Sequence, residues 1–188
     1  MNVWHPKSLP SRSLEVMPPE GTLLRLIYTM GQLRHIMEPF FARFGLNSPQ
    51  WGILRILQRA EEGGENALPQ KEIGRRMLMQ PPSVTALVDR LERMELVDRS
   101  ASDDLRVRMV ALTDAGRQQI SEVLEEHPAR VHALFSGLSS GELDTLHELL
   151  GKLCSHLASF GDTPEDSSHF FAKEAKVLPR AQRSSDFK

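Results

Sequence analysis

At 188 residues, 40% hydrophobic and with a formal net charge of −2, the chain has enough apolar material for one sizeable core but hardly for two independent enzymatic domains, and any basic surface it carries must be local. Its one cysteine, Cys154, excludes an internal disulfide and any multi-cysteine zinc or iron–sulfur site, and agrees with a reducing cytoplasm. No apolar run is long enough to span a bilayer, and the opening residues, broken by Pro6, Pro10, Pro18 and Pro19, do not read as a secretory signal.

Residues 1–19, rich in Pro, Ser and mixed charge, read as a flexible tail ahead of a structured region spanning 20–160. From Gly21 to Phe44, Leu23, Leu26, Ile27, Met30, Leu33, Met37, Phe40, Phe41 and Phe44 recur every three or four residues, which predicts a long amphipathic helix bent at Pro39. "LNSPQWGILRIL" predicts a second helix with Ser48 as its N-cap and Pro49 in its first position. "AEEGGENAL" ends that helix, and a short third one follows over "PQKEIGRRM".

The fourth helix is predicted from about Pro81 to Met94. Val84, Leu87, Val88, Leu91 and Met94 share one face and are committed to the core, so Pro82, Ala86, Asp89 and Arg93 face outward, flanked by Ser83, Thr85 and Arg90. The paired prolines give this helix a rigid start, and its remaining free N–H groups and positive dipole end favour a nearby phosphate. After Leu96 the period changes: "LVDRS" and "RVRMVALT", separated by the turn chemistry of "ASDD", predict an antiparallel hairpin. Helices resume from Asp114 to about Phe135, with an interruption at Pro128, and from Ser140 to about Ser159, where Ser139 and Glu142 form a capping box. Residues 161–188 read as a second flexible tail.

Two short helices followed by a hairpin make a winged helix-turn-helix, whose second helix enters a DNA major groove. The expected fold is mainly α with a small β-hairpin wing. The winged helix-turn-helix covers about 46–113, flanked by terminal dimerisation helices at about 21–44 and 114–159. The order of "SPQWGILRIL", "LPQKEIGRRM", "PPSVTALVDRLERMELVDR", "DDLRVRMVALTDAG" and "LSSGELDTL" resembles the MarR family of bacterial transcriptional regulators. The resemblance implies a homodimer, paired through its terminal helices, that binds palindromic operator DNA. It also implies loss of that affinity when a small phenolic or other amphipathic ligand binds or a cysteine is oxidised. Asp104-Leu105-Arg106 matches the family's Asp-x-Arg in the wing. Leu105 stands where members frequently have arginine, and Ala86 where they often carry a polar or basic side chain.

The candidate DNA contacts are therefore Gln80, Pro82, Ser83, Thr85, Ala86, Arg90, Arg93, Arg99, Arg106 and Arg108, with Asp89 and Asp104 orienting the wing and Asp89 expected to pair with Arg106. The plainer reading makes these arginines a solvated surface, since Glu72, Asp89, Glu92, Glu95, Asp98, Asp103 and Asp104 nearly cancel them. His35, Phe40, Phe44 and Trp51 form a candidate ligand crevice near the junction of the first two helices, for which core packing is the competing explanation. No metal or cofactor is expected, because His35, His127, His132, His147 and His156 include no pair at i, i+4. No nucleophile elbow, phosphate loop or metal cluster speaks for an enzyme. The sequence points to a cytoplasmic homodimeric repressor of double-stranded DNA relieved by a small effector. The competing readings are a winged-helix protein-interaction module that does not touch DNA, and a redox-responsive regulator using Cys154.

Overall fold

In the computed structural model, residues 18–101 and 107–160 are described. Both sequence tails apart from Pro18 and Pro19, and the wing tip with Asp104 and Arg106, lie outside the described residues.

Helix α1 (Pro18–Ala42) starts earlier than the periodicity predicted, with Pro18 and Pro19 in its first turn, where a missing N–H costs nothing. It runs on through Pro39. Helix α2 (Ser48–Glu62) is capped by Asn47 and not by Ser48. The reason is reciprocity: Asn47 Oδ1 accepts from the Gln50 N–H, and Gln50 Oε1 accepts from the Asn47 N–H, both at 2.9 Å. Ser48 has no Gln or Glu three residues on. Its hydroxyl instead donates to Glu38 Oε2 at 2.7 Å, tying α2 back to α1.

A two-residue strand, β1 (Leu68–Pro69), precedes α3 (Gln70–Met77) and α4 (Pro81–Arg93). The hairpin follows as β2 (Val97–Ala101) and β3 (Arg108–Leu112). The sheet has three strands in the order β1-β3-β2, all antiparallel, with Val110 of β3 opposite both Leu68 and Arg99. The expected hairpin is present, and β1 adds to it. Two residues, one of them proline, hold no alternation from which a strand can be read.

Helix α5 (Asp114–Phe135) is capped by Thr113 and continues through Pro128, where an interruption was expected. A mid-helix proline removes one backbone hydrogen bond and need not end the helix when its neighbours carry it. Helix α6 (Ser140–Ala158) begins with the predicted box, in which the Glu142 N–H meets the Ser139 hydroxyl.

One core holds these pieces together. Ile53, Leu54, Leu68, Ile73, Val88, Leu91 and Val110 are fully enclosed, as are Val84 and Val97 apart from 1% of their surface. The predicted inner face of α4 is correct, with Leu87 and Met94 packed at the core's margin. Helix α1 buries Phe40 and Phe41 in this core and packs Met37 against it, while α5 buries Gly116, Ile120 and Val123 and packs Leu124 against it. Helix α6 buries nothing.

Two glycines set how closely elements approach. Gly74 of α3 lies under α4, where a Cβ would sit 3.2 Å from Val84 Cγ2. Gly116 lies so close to the α4–β2 connection that a Cβ would be 2.1 Å from the Leu96 carbonyl oxygen.

Candidate nucleic-acid interface

The α3–α4 pair stands on the core with the N-terminal end of α4 turned to solvent. Gln80, Pro81, Pro82, Ser83, Thr85, Ala86, Arg90 and Arg93 are exposed, while Val84, Val88 and Leu91 are buried behind them. Leu78, held in the left-handed region at φ 52°, closes α3 and is itself exposed. The sequence-predicted residues of α4 thus share one surface.

That surface differs from the expectation in its chemistry. Pro81 and Pro82 carry no N–H, and the Ser83 N–H donates to the Gln80 carbonyl at 3.0 Å. The first turn keeps the positive end of the helix dipole but loses the free donors that would clasp a phosphate. The Thr85 hydroxyl is also occupied: it donates to the Pro81 carbonyl at 3.0 Å and accepts from Gln70 Nε2 at 2.7 Å. Thr85 therefore offers mainly its methyl group. Gln70, which sequence reasoning passed over, joins the edge of the surface through this bond.

The arginines divide into two sets. Arg75 and Arg76 of α3 are drawn onto Glu72 at 2.7 and 2.6 Å, and the hydrogen bond from Arg75 is the main reason that carboxylate stays below the usual Glu range. Arg90 and Arg93 of α4 and Arg108 of β3 are exposed, and Arg93 Nε donates to the Asp89 carbonyl on its own helix. Arg99 of β2 is different. Its side chain is only 14% exposed and meets Asp89 Oδ1 at 2.5 Å and Glu92 Oε2 at 3.2 Å. Its Nη2 donates to the Thr85 carbonyl at 3.4 Å. Asp89 thus has a partner in Arg99. The pairing expected with Arg106 involves a residue outside the described set.

The inward turn of Arg99 was legible in the strand's own alternation. Val97 is buried and Asp98 exposed, so Arg99 falls on Val97's side of the sheet. The charge of the residue masked that signal.

The aromatic set lies elsewhere, where α1, α2 and α5 meet. Phe40 and Trp51 are buried, Phe44 is half-buried, and His35 is exposed on α1. Ring centroids lie 5.3 Å apart for Phe40–Phe41, 5.4 Å for Phe40–Phe44 and 5.7 Å for Phe41–Trp51. The centre of the set is His127 of α5, 5.4 Å from Trp51 and 6.1 Å from both Phe40 and Phe41. Burial, with a smaller contribution from Arg55, holds the His127 imidazole below its ordinary pKa. Sequence reasoning missed it because its partners lie on other helices. The rings fill their junction with one another, as core packing would have them do. The concavity between α2 and α5, of about 400 Å³, is lined instead by Gln58, Glu61, Glu62, Arg117 and Ile120. Cys154 is exposed on α6, distant in the chain from every element of the α3–α4 surface. Among the described residues, no group of three His, Cys, Asp or Glu side chains could hold a metal ion.

Residues 44–106, which include α2 to β2, match the model of the MarR family. The chain is 30% identical over 118 residues to the HTH-type transcriptional regulator MhqR of Bacillus subtilis, covering 62% of this chain and 78% of that protein. To the HTH-type transcriptional repressor YetL of the same organism it is 29% identical over 132 residues, covering 70% and 77%. Its fold matches that of an Escherichia coli MarR mutant crystallised with operator DNA, with a TM-score of 0.65 at 20% identity over 74% of this chain and 99% of that one. Sequence and overall fold thus agree, and the chain belongs to the MarR family of transcriptional regulators.

Proposed function

We propose that this regulator is a homodimeric repressor that binds double-stranded operator DNA, with α4 in the major groove and the wing against the minor groove. The observation that carries this reading is the division of α4 into a fully buried face and an exposed N-terminal face whose side chains point away from the core. Gln80, Ser83 and Arg90 supply its hydrogen-bonding groups, while Pro82, Ala86 and the Thr85 methyl offer apolar contact of the kind a thymine methyl accepts. Arg93 and Arg108 are placed to meet phosphates, and Arg106 completes the set from the wing, with Asp104 orienting it. The winged helix-turn-helix occupies about 46–113, and the helices at about 21–44 and 114–159 pair the two subunits.

The effector is a small amphipathic or phenolic molecule acting where Phe40, Phe44 and Trp51 join α1 to α2, with His35 at the margin. Because these rings are packed together, such a ligand has to part them, and its binding energy is then coupled to the angle between the arms and the DNA-binding lobe. No catalytic role is assigned, and a cytoplasmic site of action fits a protein whose described helices include none long and apolar enough to cross a membrane.

With few bidentate base contacts available, phosphate contacts and DNA shape carry much of the affinity. Fluorescence anisotropy with genomic duplex fragments that co-purify with the protein tests this. Affinity is expected to fall steeply, by about a thousandfold or more between about 50 and 200 mM salt if six or more phosphates are contacted. Binding that barely changes over that range, or no binding to any duplex, overturns the reading in favour of a protein-interaction module.

A further inference from the structure

We propose that Arg99 is a positioning residue: a strut from the wing sheet that fixes the angle of α4 in the groove, and not itself a contact to DNA. The inference rests on the DNA-binding reading of α4. It starts from where the guanidinium goes. Arg99 leaves β2 on the buried side of the sheet, and its three recorded acceptors, the Thr85 carbonyl, the Asp89 carboxylate and the Glu92 carboxylate, all belong to α4. Positions 85, 89 and 92 follow one another at helical spacing, so they form one stripe along successive turns. A single planar fork therefore grips α4 over more than half its length.

Each feature of the contact favours a fixed strut over a mobile surface charge. The side chain is 14% exposed, against 46% for Asp89 and 42% for Glu92, so the arginine is the enclosed partner. Its Nε is enclosed with no acceptor among the described residues, which leaves the guanidinium no spare donor aimed at solvent on that edge. Arg99 also sits opposite Val110 in the sheet, whose side chain is fully buried, so its backbone is anchored in the core. The strut thus links the core-facing side of the wing sheet to the recognition helix. It also accounts for two carboxylates on a DNA-facing helix: one cation offsets half of their combined charge and holds both on the side facing the sheet.

A lysine keeps the charge but not the fork, since an ammonium is a compact point charge on a flexible stem. That separates the strut from a phosphate contact. Operator and random-sequence affinities, each measured across a salt series, are compared for the full-length wild type, Arg99→Lys, Arg99→Gln and Asp89→Asn, with circular dichroism melts to confirm folding. In the strut reading, Arg99→Lys weakens operator binding by about tenfold or more, the scale of one lost base pair of discrimination, and leaves random-sequence binding and the salt slope unchanged. Asp89→Asn also weakens operator binding, although it removes a negative charge from the neighbourhood of the phosphates. The strut is overturned if Arg99→Lys binds operator within about twofold of wild type with Arg99→Gln lowering the salt slope by about 0.9 for each arginine lost, as a phosphate contact would. It is equally overturned if Asp89→Asn binds tighter. Failure of the wild type to bind any duplex defeats the DNA-binding reading itself, whereas normal wild-type binding with a silent Arg99→Lys defeats only the strut.

Discussion

His127 is one imidazole in a box of carbon rings, and its titration reports on the joint between α1, α2 and α5. Protonation there would place a cation among Phe40, Phe41 and Trp51 with the guanidinium of Arg55 nearby, so burial first and Arg55 second hold its pKa down in the folded state. Glu126, next along the chain, is committed to Arg43 at 2.9 Å and is not free to compensate. The unfolded chain binds a proton near the ordinary histidine value of about 6.5 while the folded chain still does not. Stability from this group is therefore fully present above about pH 6.5 and is lost as pH falls through that value towards the depressed folded pKa. Urea unfolding at about pH 8 and about pH 5.5 checks this, because the interval spans the ordinary histidine value. Wild type is expected to lose more stability over that interval than His127→Phe, whose ring fills similar space without titrating. Equal losses would show that His127 is solvated.

Gly116 illustrates what happens when whole elements meet. The first turn of α5 is pressed against the residue that links α4 to the wing, and the obstacle to a Cβ is the Leu96 backbone carbonyl, which cannot swing aside as a side chain could. Gly116→Ala is expected to cost about 1–3 kcal/mol, the usual range for overpacking, and to lower the midpoint of thermal unfolding by several degrees. Gly141→Ala, in the first turn of α6 with nothing within 4 Å of its Cβ, is the control and is expected to be neutral or slightly stabilising. The same contrast explains how far the sequence could be read. Features that depend on near neighbours in the chain were visible: the buried stripe of α4, the hairpin of β2 and β3, and the Ser139–Glu142 cap. The choice between Asn47 and Ser48 required noticing that Gln50 is reciprocal only to Asn47. Features that depend on distant partners were not visible. β1 is a strand only because β3 accepts it, and His127 is central only because three rings from other helices surround it. The interruption expected at Pro128 is absent, since α5 continues through it.

At the scale of the whole molecule, one chain leaves much apolar surface without cover. On α1, Leu23, Leu24, Ile27 and Met30 are each more than half exposed, and on α6 so are Leu149 and Leu157, with Leu150 close behind at 44%. Phe160, just beyond α6, is 75% exposed. Large apolar side chains exposed in number along a helix are what an interaction surface presents. Helix α5 ties the arms to the DNA-binding lobe and to each other: its Arg117 forks onto Glu61 of α2, and its Arg130 reaches the Ile36 carbonyl of α1 at 3.3 Å. An interface formed by the arms would therefore fix the spacing of two α4 helices, and half-site spacing is what a two-fold operator reads. A second copy supplies the cover in this proposal, in an interface of roughly 2,000 Å² or more. Light scattering at micromolar concentration is expected to give a dimer for wild type and a shift towards monomer for Leu150→Glu combined with Ile27→Glu, because each carboxylate would be buried without a partner. DNA binding supplies the second readout. Neither residue lies on the α4 surface, so if operator affinity falls together with the dimer while the melting profile of the core persists, the arms act by joining two readers. A variant that becomes monomeric yet keeps full operator affinity would show instead that each subunit reads its half-site alone, and a monomeric wild type would remove the dimer altogether.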